Sequence, residues 1–338
     1  MRKHFFTLGI LLTIGLLYFA VNSKPCYLDG FTLNELGEQR MIITDVFPDV
    51  TIVINAPSPD KFDKNKKTAL VLYALPNGNT IDWTAGKLME EGDDWHYDIQ
   101  NVGAQIRFVR DACPEYNWVV AYLQSYEKSS WTTWSRTHVD SGKEIIQQIV
   151  DKVRTIFAPY NPVIMLNGHS GGGRFILDYI TGTDEIPSDI ERIAFIDSNY
   201  GYEDSLHYNK LTNWLASSNS RYLDVIAYND STVIYDGKPL VSPMGGTWWR
   251  SKKMQKDFSN AFTFTSTVDT TFIQYNALDG RVQFWLKQND DGSNIYHTVL
   301  VERNGLIHSL LSGTNYENKG YTFWGERAYQ KYSHKVGY

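Results

Sequence analysis

The residues that invite a chemical reading lie in PVIMLNGHSGGGRFILDYI, residues 162–180. There an apolar run leads into Gly168-His169-Ser170-Gly171-Gly172 and an amphipathic stretch follows. This is G-x-S-x-G in a strand–turn–helix setting, which holds a serine hydroxyl out at a sharp bend. Glycines two residues to either side are what such a bend requires, because a Cβ there would meet neighbouring backbone. A helix beginning just after Ser170 aims its first amides, and the positive end of its dipole, at an oxyanion formed beside the hydroxyl. The chemistry so equipped is nucleophilic acyl transfer, with Ser170 as nucleophile. The plainer alternative is a glycine-rich turn with a capping serine.

The elements that must position this turn can be read around it. Residues 68–75 (TALVLYAL), 117–123 (NWVVAYL), 162–166 (PVIML), 192–196 (RIAFI) and 222–228 (YLDVIAY) are nearly continuous apolar runs. Such runs mark strands covered on both faces. Between them, 98–111 places Ile99, Val102, Ile106 and Val109 at helical spacing, and 139–157 does so with Ile145, Ile149, Val153 and Ile156. Shorter helices are expected at 175–180 and 206–216. Strands alternating with crossover helices predict an α/β fold with a doubly wound, mainly parallel sheet and helices on both faces. Residues 40–46 and 49–55 read as a leading antiparallel pair. Residues 263–274, 281–287 and 295–302 read as later strands, and a helix or tail closes the chain from Ala328. No repeat or linker divides the chain, so residues 24–338 are expected to form one domain, with cap segments near 80–97, 125–138 and 235–260.

With this setting the chain resembles the α/β-hydrolase superfamily over most of its length. The resemblance implies a triad in the order Ser, acid, His, with the acid after a late strand. Asp230, just after 222–228, is the candidate acid, and Asp197, which ends the preceding strand, is the alternative. The resemblance also places the general base on the loop after the final core strand. Reading 296–302 as that strand makes His308 the base. His297 then begins the strand, at its wrong end, and His169 packs locally beside the nucleophile. The oxyanion donors implied are the amide of Gly171 and the backbone amide of Asn79. The latter comes from the loop 76–80, which carries Asn77-Gly78 where the superfamily has a His-Gly signature. His96, His138, His207 and His334 lack metal-ligand spacing, so neither a catalytic metal nor another cofactor is expected.

For the substrate, composition offers ten tryptophans in a chain that is 14% aromatic, suited to stacking on sugar rings or simply to filling a large core. Trp131, Trp134, Arg136 and Trp248 are the candidate substrate contacts. The strings GHSGGGRF, SPMGGTWW and VERNGLIHSLL together resemble secreted α/β-hydrolases of polysaccharide-degrading gut bacteria, including a pectin methylesterase group built on this fold. The resemblance implies a carbohydrate esterase that removes methyl or acetyl groups from plant polysaccharide, acting on an ester of an acidic or acetylated glycan. Alternatives are a serine peptidase, a lipase or general carboxylesterase of the same fold, and a catalytically inactive glycan-binding surface protein.

The 338 residues, 42% of them hydrophobic, supply material for a large core and exclude disorder. The net charge of −6 becomes more negative still if Arg2 and Lys3 are removed, and it argues against a nucleic-acid partner. Met1-Arg2-Lys3-His4 followed by the apolar stretch 5–21 reads as a signal peptide over 1–23, giving a secreted or periplasmic protein. An uncleaved N-terminal membrane anchor is the alternative. Beyond it lie only Cys26 and Cys113, expected to pair in an oxidising compartment or else to be two unrelated thiols.

Overall fold

The computed structural model describes residues 24–126 and 128–338. The expected signal segment therefore lies outside the described residues. The first part of the chain forms strands β1 (Thr32–Leu33), β2 (Gln39–Phe47), β3 (Val50–Ala56) and β4 (Lys67–Ala74), then helices α1 (Ile81–Ala85) and α2 (Val102–Ala112). Next come β5 (Tyr116–Gln124), α3 (Trp131–Thr137), α4 (Gly142–Ile156), β6 (Pro162–His169), α5 (Gly173–Gly182), β7 (Ile190–Ile196), α6 (Asp204–Ala216) and β8 (Tyr222–Tyr228). The last third comprises the ribbon β9 (Ile234–Tyr235) and β10 (Lys238–Pro239), α7 (Gly246–Phe258), β11 (Thr265–Val268), β12 (Phe272–Ala277), β13 (Val282–Lys287), α8 (Val299–Glu302) and α9 (Gly305–Leu311).

Eleven strands make one sheet in the order β1-β2-β3-β5-β4-β6-β7-β8-β13-β12-β11. From β5 to β13 all neighbours are parallel, and the antiparallel strands are confined to the two flanks. This is the expected α/β-hydrolase sheet. The chain runs outward from β4 to β5 and then crosses back to β6, so the strand order reverses between β4 and β6. In open α/β sheets the crevice at such a reversal, beyond the carboxyl ends of the strands, is where ligands bind.

The continuous apolar runs bury both faces. On one face Ile52, Leu72, Ile164 and Phe195 pack under α3–α7. On the other Val71, Tyr73, Val163 and Met165 pack under α2 and α9. Strict alternation along each strand divides the two sets, as a period of two demands.

Four expectations need correction. Residues 295–302 are not a strand. The backbone coils from Tyr296, whose carbonyl accepts from the Leu300 amide at 3.0 Å, into α8. The final core strand is instead β13, paired in parallel with β8. Residues 263–274 are two antiparallel strands, because Asp269 Oδ1 accepts the amides of Thr271 and Phe272 and turns the chain there. Lastly, Cys26 and Cys113 are both free. Cys26 packs against the core on one face of the sheet and Cys113 within the core on the other, so the sheet separates them. Burial pushes the Cys113 thiol up to about 12.

Candidate active site

Ser170 stands directly after β6, beside the reversal of strand order. Its φ of +54° lies in the left-handed region, which a side chain enters only when its surroundings hold it there. Two glycines show what holds it. A Cβ on Gly168 would sit 2.9 Å from the backbone of Gly172, and one on Gly172 would sit 2.8 Å from the carbonyl carbon of Ala74 on the adjacent β4. The bend is thus closed on itself and pressed against the neighbouring strand. The Ser198 hydroxyl donates to the Gly168 carbonyl at 2.9 Å and fixes the exit of β7 to the same bend. A short 3-10 turn over Ser170–Gly172 leads into α5, so the Gly171 amide belongs to a helix start and has no intrahelical acceptor.

The second flank of the bend is the loop after β4. Gly171 has no room for a side chain because the Asn77 carboxamide occupies it, with Oδ1 the nearest atom and Nδ2 3.0 Å from where a Cβ would be. Asn77 is exposed, whereas Asn79 is buried and turned the other way. The Asn79 Oδ1 accepts the Thr80 amide at 3.0 Å at the start of α1. The Gly78 amide is spent on the Ser129 carbonyl at 2.9 Å. The structure therefore brings the Asn77 side chain to the nucleophile bend, on the same loop as the expected Asn79 amide.

The imidazole beside this bend is His297, carried by the loop that follows β13. Its Nδ1 lies 2.5 Å from Asp197 Oδ2, and its side chain remains 24% exposed. The ring of His169, the residue next to Ser170, lies 4.5 Å from that of His297. His169 Nε2 donates to the His297 carbonyl at 3.0 Å. Burial, with the second imidazole beside it, holds the His169 pKa well below the usual histidine range. His169 is thus a neutral prop, protonated on Nε2, that fixes the position of the loop bearing His297.

Asp197 follows β7 directly, fully buried, with φ +46°. Its second oxygen accepts the hydroxyl of Thr247. Asp230, after β8, does not reach a histidine. Its Oδ2 accepts the Thr247 amide at 2.8 Å and so caps the first turn of α7. That approach needs Gly246, whose φ is +77° and whose Cβ, if present, would overlap the Asp230 carboxylate. Burial and the proximity of Asp197 raise the Asp230 pKa to about 6, against the pull of the Thr247 and Trp248 amides. The two candidate acids are thus neighbours joined through Thr247, with Asp197 in contact with the imidazole and Asp230 behind it.

His308 lies elsewhere. It sits within α9, fully buried, with its ring stacked 4.7 Å from Phe323 and edge-on at 4.8 Å to Trp285. Its Nδ1 is 3.3 Å from the Tyr321 hydroxyl and its Nε2 has no partner. Burial and the positive charge of Arg192 lower its pKa to about 3, so it is a neutral core residue. Among the expected substrate contacts, Trp131 and Trp134 are also interior: Trp131 packs 4.8 Å from Phe175, and the Trp134 indole donates to the Pro48 carbonyl at 2.9 Å. Arg136 is exposed at the end of α3, and Trp248 is half-buried on α7. His297 was legible in principle: 281–287 reads as a strand, and the loop following it carries this histidine.

No family model matches the sequence, and no curated protein matches it. Solved structures with a similar fold include a thermostable esterase (TM-score 0.47, 16% identity, covering 84% of this chain and 64% of that one). A feruloyl esterase module from Clostridium thermocellum superposes with a TM-score of 0.45 at 11% identity, covering 90% of this chain and 97% of that one. Poly(aspartic acid) hydrolase-1 from Sphingomonas sp. KT-1 gives 0.43 at 12%, covering 81% and 98%. This chain spans slightly under two thirds of the thermostable esterase's length. At such identities the chemistry rests on this chain's own side chains.

Proposed function

We propose that the protein is a serine ester hydrolase with Ser170 as nucleophile, His297 as general base and Asp197 as the orienting acid. The observation that carries this is the 2.5 Å contact between His297 Nδ1 and the buried carboxylate of Asp197, on a loop beside the strained Ser170. That contact puts a proton on Nδ1 and leaves the Nε2 lone pair to accept the Ser170 proton as Oγ attacks an ester carbonyl. The negative charge that develops on the carbonyl oxygen is met by the Gly171 amide and by Asn77. Collapse expels the alcohol, which takes the proton from His297, and a water activated by the same imidazole then releases the acid. Asp230 supports the arrangement by capping α7, so that the Thr247 hydroxyl is presented to Asp197.

For substrate, the reading is a carbohydrate esterase removing methyl or acetyl groups from plant polysaccharide, exported or anchored through residues 1–23. Two features support it: Trp248 and Trp249 are half-buried next to the acid side of the site, and the segment 80–97 is rich in Asp, Glu and Gly instead of forming an apolar lid. Turnover of p-nitrophenyl acetate, butyrate and a long-chain ester, together with methyl-pectin and acetyl-xylan, tests the assignment against Ser170→Ala. Rates on acetate or on the glycan esters that vanish in the variant are expected. Activity on long acyl chains alone would sink the carbohydrate reading, and equal rates in both proteins would remove Ser170 from the mechanism.

A further inference from the structure

Asn77 sits on a loop that leads into α1, and a helix of five residues does not hold its own place. Two contacts with β5 and the loop beyond it restrain this segment: Gln124 Oε1 accepts the Ile81 amide and the Ser129 carbonyl accepts the Gly78 amide, each at 2.9 Å. A second set of restraints comes from residues 334–338. The Tyr338 hydroxyl donates to Asp82 Oδ1 of α1 at 2.6 Å. The Tyr338 ring packs against the Arg40 guanidinium at 4.6 Å and lies 5.7 Å from the ring of Tyr122. Gly337 is pressed so closely on the end of α1 that a Cβ there would overlap the Gly86 carbonyl oxygen and meet Ala85 Cβ at 3.1 Å. Its own carbonyl accepts from Arg107 Nη2 of α2 at 2.8 Å, and the His334 carbonyl accepts the Leu88 amide at 2.6 Å. Slightly upstream, Arg327 joins two segments: Nη1 donates to Asp98 Oδ1 at 2.6 Å and Nη2 to Glu302 Oε1 of α8 at 2.8 Å. Residues 327–338 therefore reach from α8, which begins two residues after His297, to α1, which begins four residues after Asn77.

We propose that residues 327–338 are a strap that sets the Asn77 loop against the nucleophile bend, with Tyr338 as a positioning residue that acts through Asn77. A hydrogen-bond donor stabilises a developing oxyanion only if it is already held where the charge appears, and a small displacement forfeits most of the benefit. Tyr338 is equipped to prevent that displacement. Its hydroxyl bonds a carboxylate, the stronger kind of hydrogen bond, while a guanidinium over its ring keeps the phenol from swinging away. Arg327 adds the link to the base side, so that one segment spans both flanks of Ser170. The inference rests on the ester-hydrolase reading for the role of Asn77, and goes beyond it by assigning the placement of that donor to residues remote in sequence.

The test is a double-mutant cycle of Tyr338→Ala and Asn77→Ala in the full chain, read as kcat and KM on p-nitrophenyl acetate. Tyr338→Ala alone is expected to lower kcat about tenfold with KM changed less than about twofold, the pattern of an interaction made only in the transition state. In the Asn77→Ala background the same replacement should cost less than about twofold, because the donor it positions is gone. A strap that merely held the fold together would cost the same in both backgrounds, and that outcome overturns the proposal. So does an unchanged kcat in Tyr338→Ala. Should Tyr338→Ala fail to fold, Tyr338→Phe takes its place in the cycle. It keeps the ring and removes only the bond to Asp82, with an expected loss of about threefold that again disappears without Asn77. Tyr332→Phe, which removes a hydroxyl bond to Asp111 of α2 at 2.9 Å, is the control and should leave kcat unchanged. Turnover that survives Ser170→Ala, or a kcat that Asn77→Ala leaves intact, removes the catalytic reading itself. Additive losses beside a normal Asn77 effect remove only the strap.

Discussion

His297 and His308 lie on either side of α8, and the protein treats them in opposite ways. His297 is on a loop at the carboxyl edge of the sheet, a quarter exposed, with Nδ1 on a buried carboxylate and its other nitrogen without a hydrogen bond among the described residues. His308 is inside a helix between Trp285 and Phe323, with no solvent and a neighbouring arginine, and its pKa is driven to about 3. The difference shows what makes an imidazole a base. An acid must fix one nitrogen and stabilise the cation that forms, and the other nitrogen must face the reaction. A buried ring without a carboxylate supplies neither. His308 instead contributes a flat, neutral wedge to the aromatic packing behind β13.

That comparison can be broken by mutation. His297→Ala should reduce kcat/KM on p-nitrophenyl acetate by about 10⁶-fold, as loss of a triad base does elsewhere. A loss of less than tenfold would refute the assignment. Asp197→Asn should cost about 10³- to 10⁴-fold, because the amide presents the wrong partner to Nδ1. The same replacement at Asp230 leaves an acceptor for the Thr247 amide and should cost less than about tenfold. Should Asp230→Asn prove the more damaging, the two acids exchange roles. Asn77→Ala should lower kcat by about 10²-fold with KM little changed, the pattern of a donor used in the transition state.

Smaller effects sharpen the contrast. Because the Asp230 pKa is raised to about 6, the folded state binds its proton more tightly than the unfolded chain does. Ionised Asp230 therefore costs stability, and the cost grows as pH rises from about 4 to 6 and is fully present above. Asp230→Asn should accordingly melt at a higher temperature than wild type at pH 7.5, with the gap closing toward pH 4.5. A lower melting temperature at pH 7.5 would contradict this. His308→Leu should alter turnover by no more than about twofold, since that ring touches no reacting atom.

The sheet was readable because strands buried on both faces leave unbroken apolar runs, and the bend at Ser170 was readable because sterics confine it to glycine-flanked serines. The pair of acids was legible too, as the residues ending two consecutive strands. What misled was local. YHTVLVE alternates well enough to suggest a strand, yet Leu300 and Val301 are buried on α8, a single helical turn that periodicity over seven residues does not distinguish from a strand. Taking it for the last core strand moved the expected base from His297 to His308. Trp131 and Trp134 misled for a different reason: spacing places a side chain on an element, but only packing against Phe175 and Pro48 shows which way it points. Asn77 and Thr247 act through close approach between segments far apart in sequence, which no local pattern encodes.

The most direct test of the central claim is the mass of the intact protein after brief exposure to a fluorophosphonate, which reacts only with a serine whose proton has somewhere to go. Wild type and His308→Leu should each gain one phosphonyl group on Ser170, and His297→Ala should remain unlabelled over the same interval. Labelling that survives the loss of His297 and disappears with His308 would contradict the account.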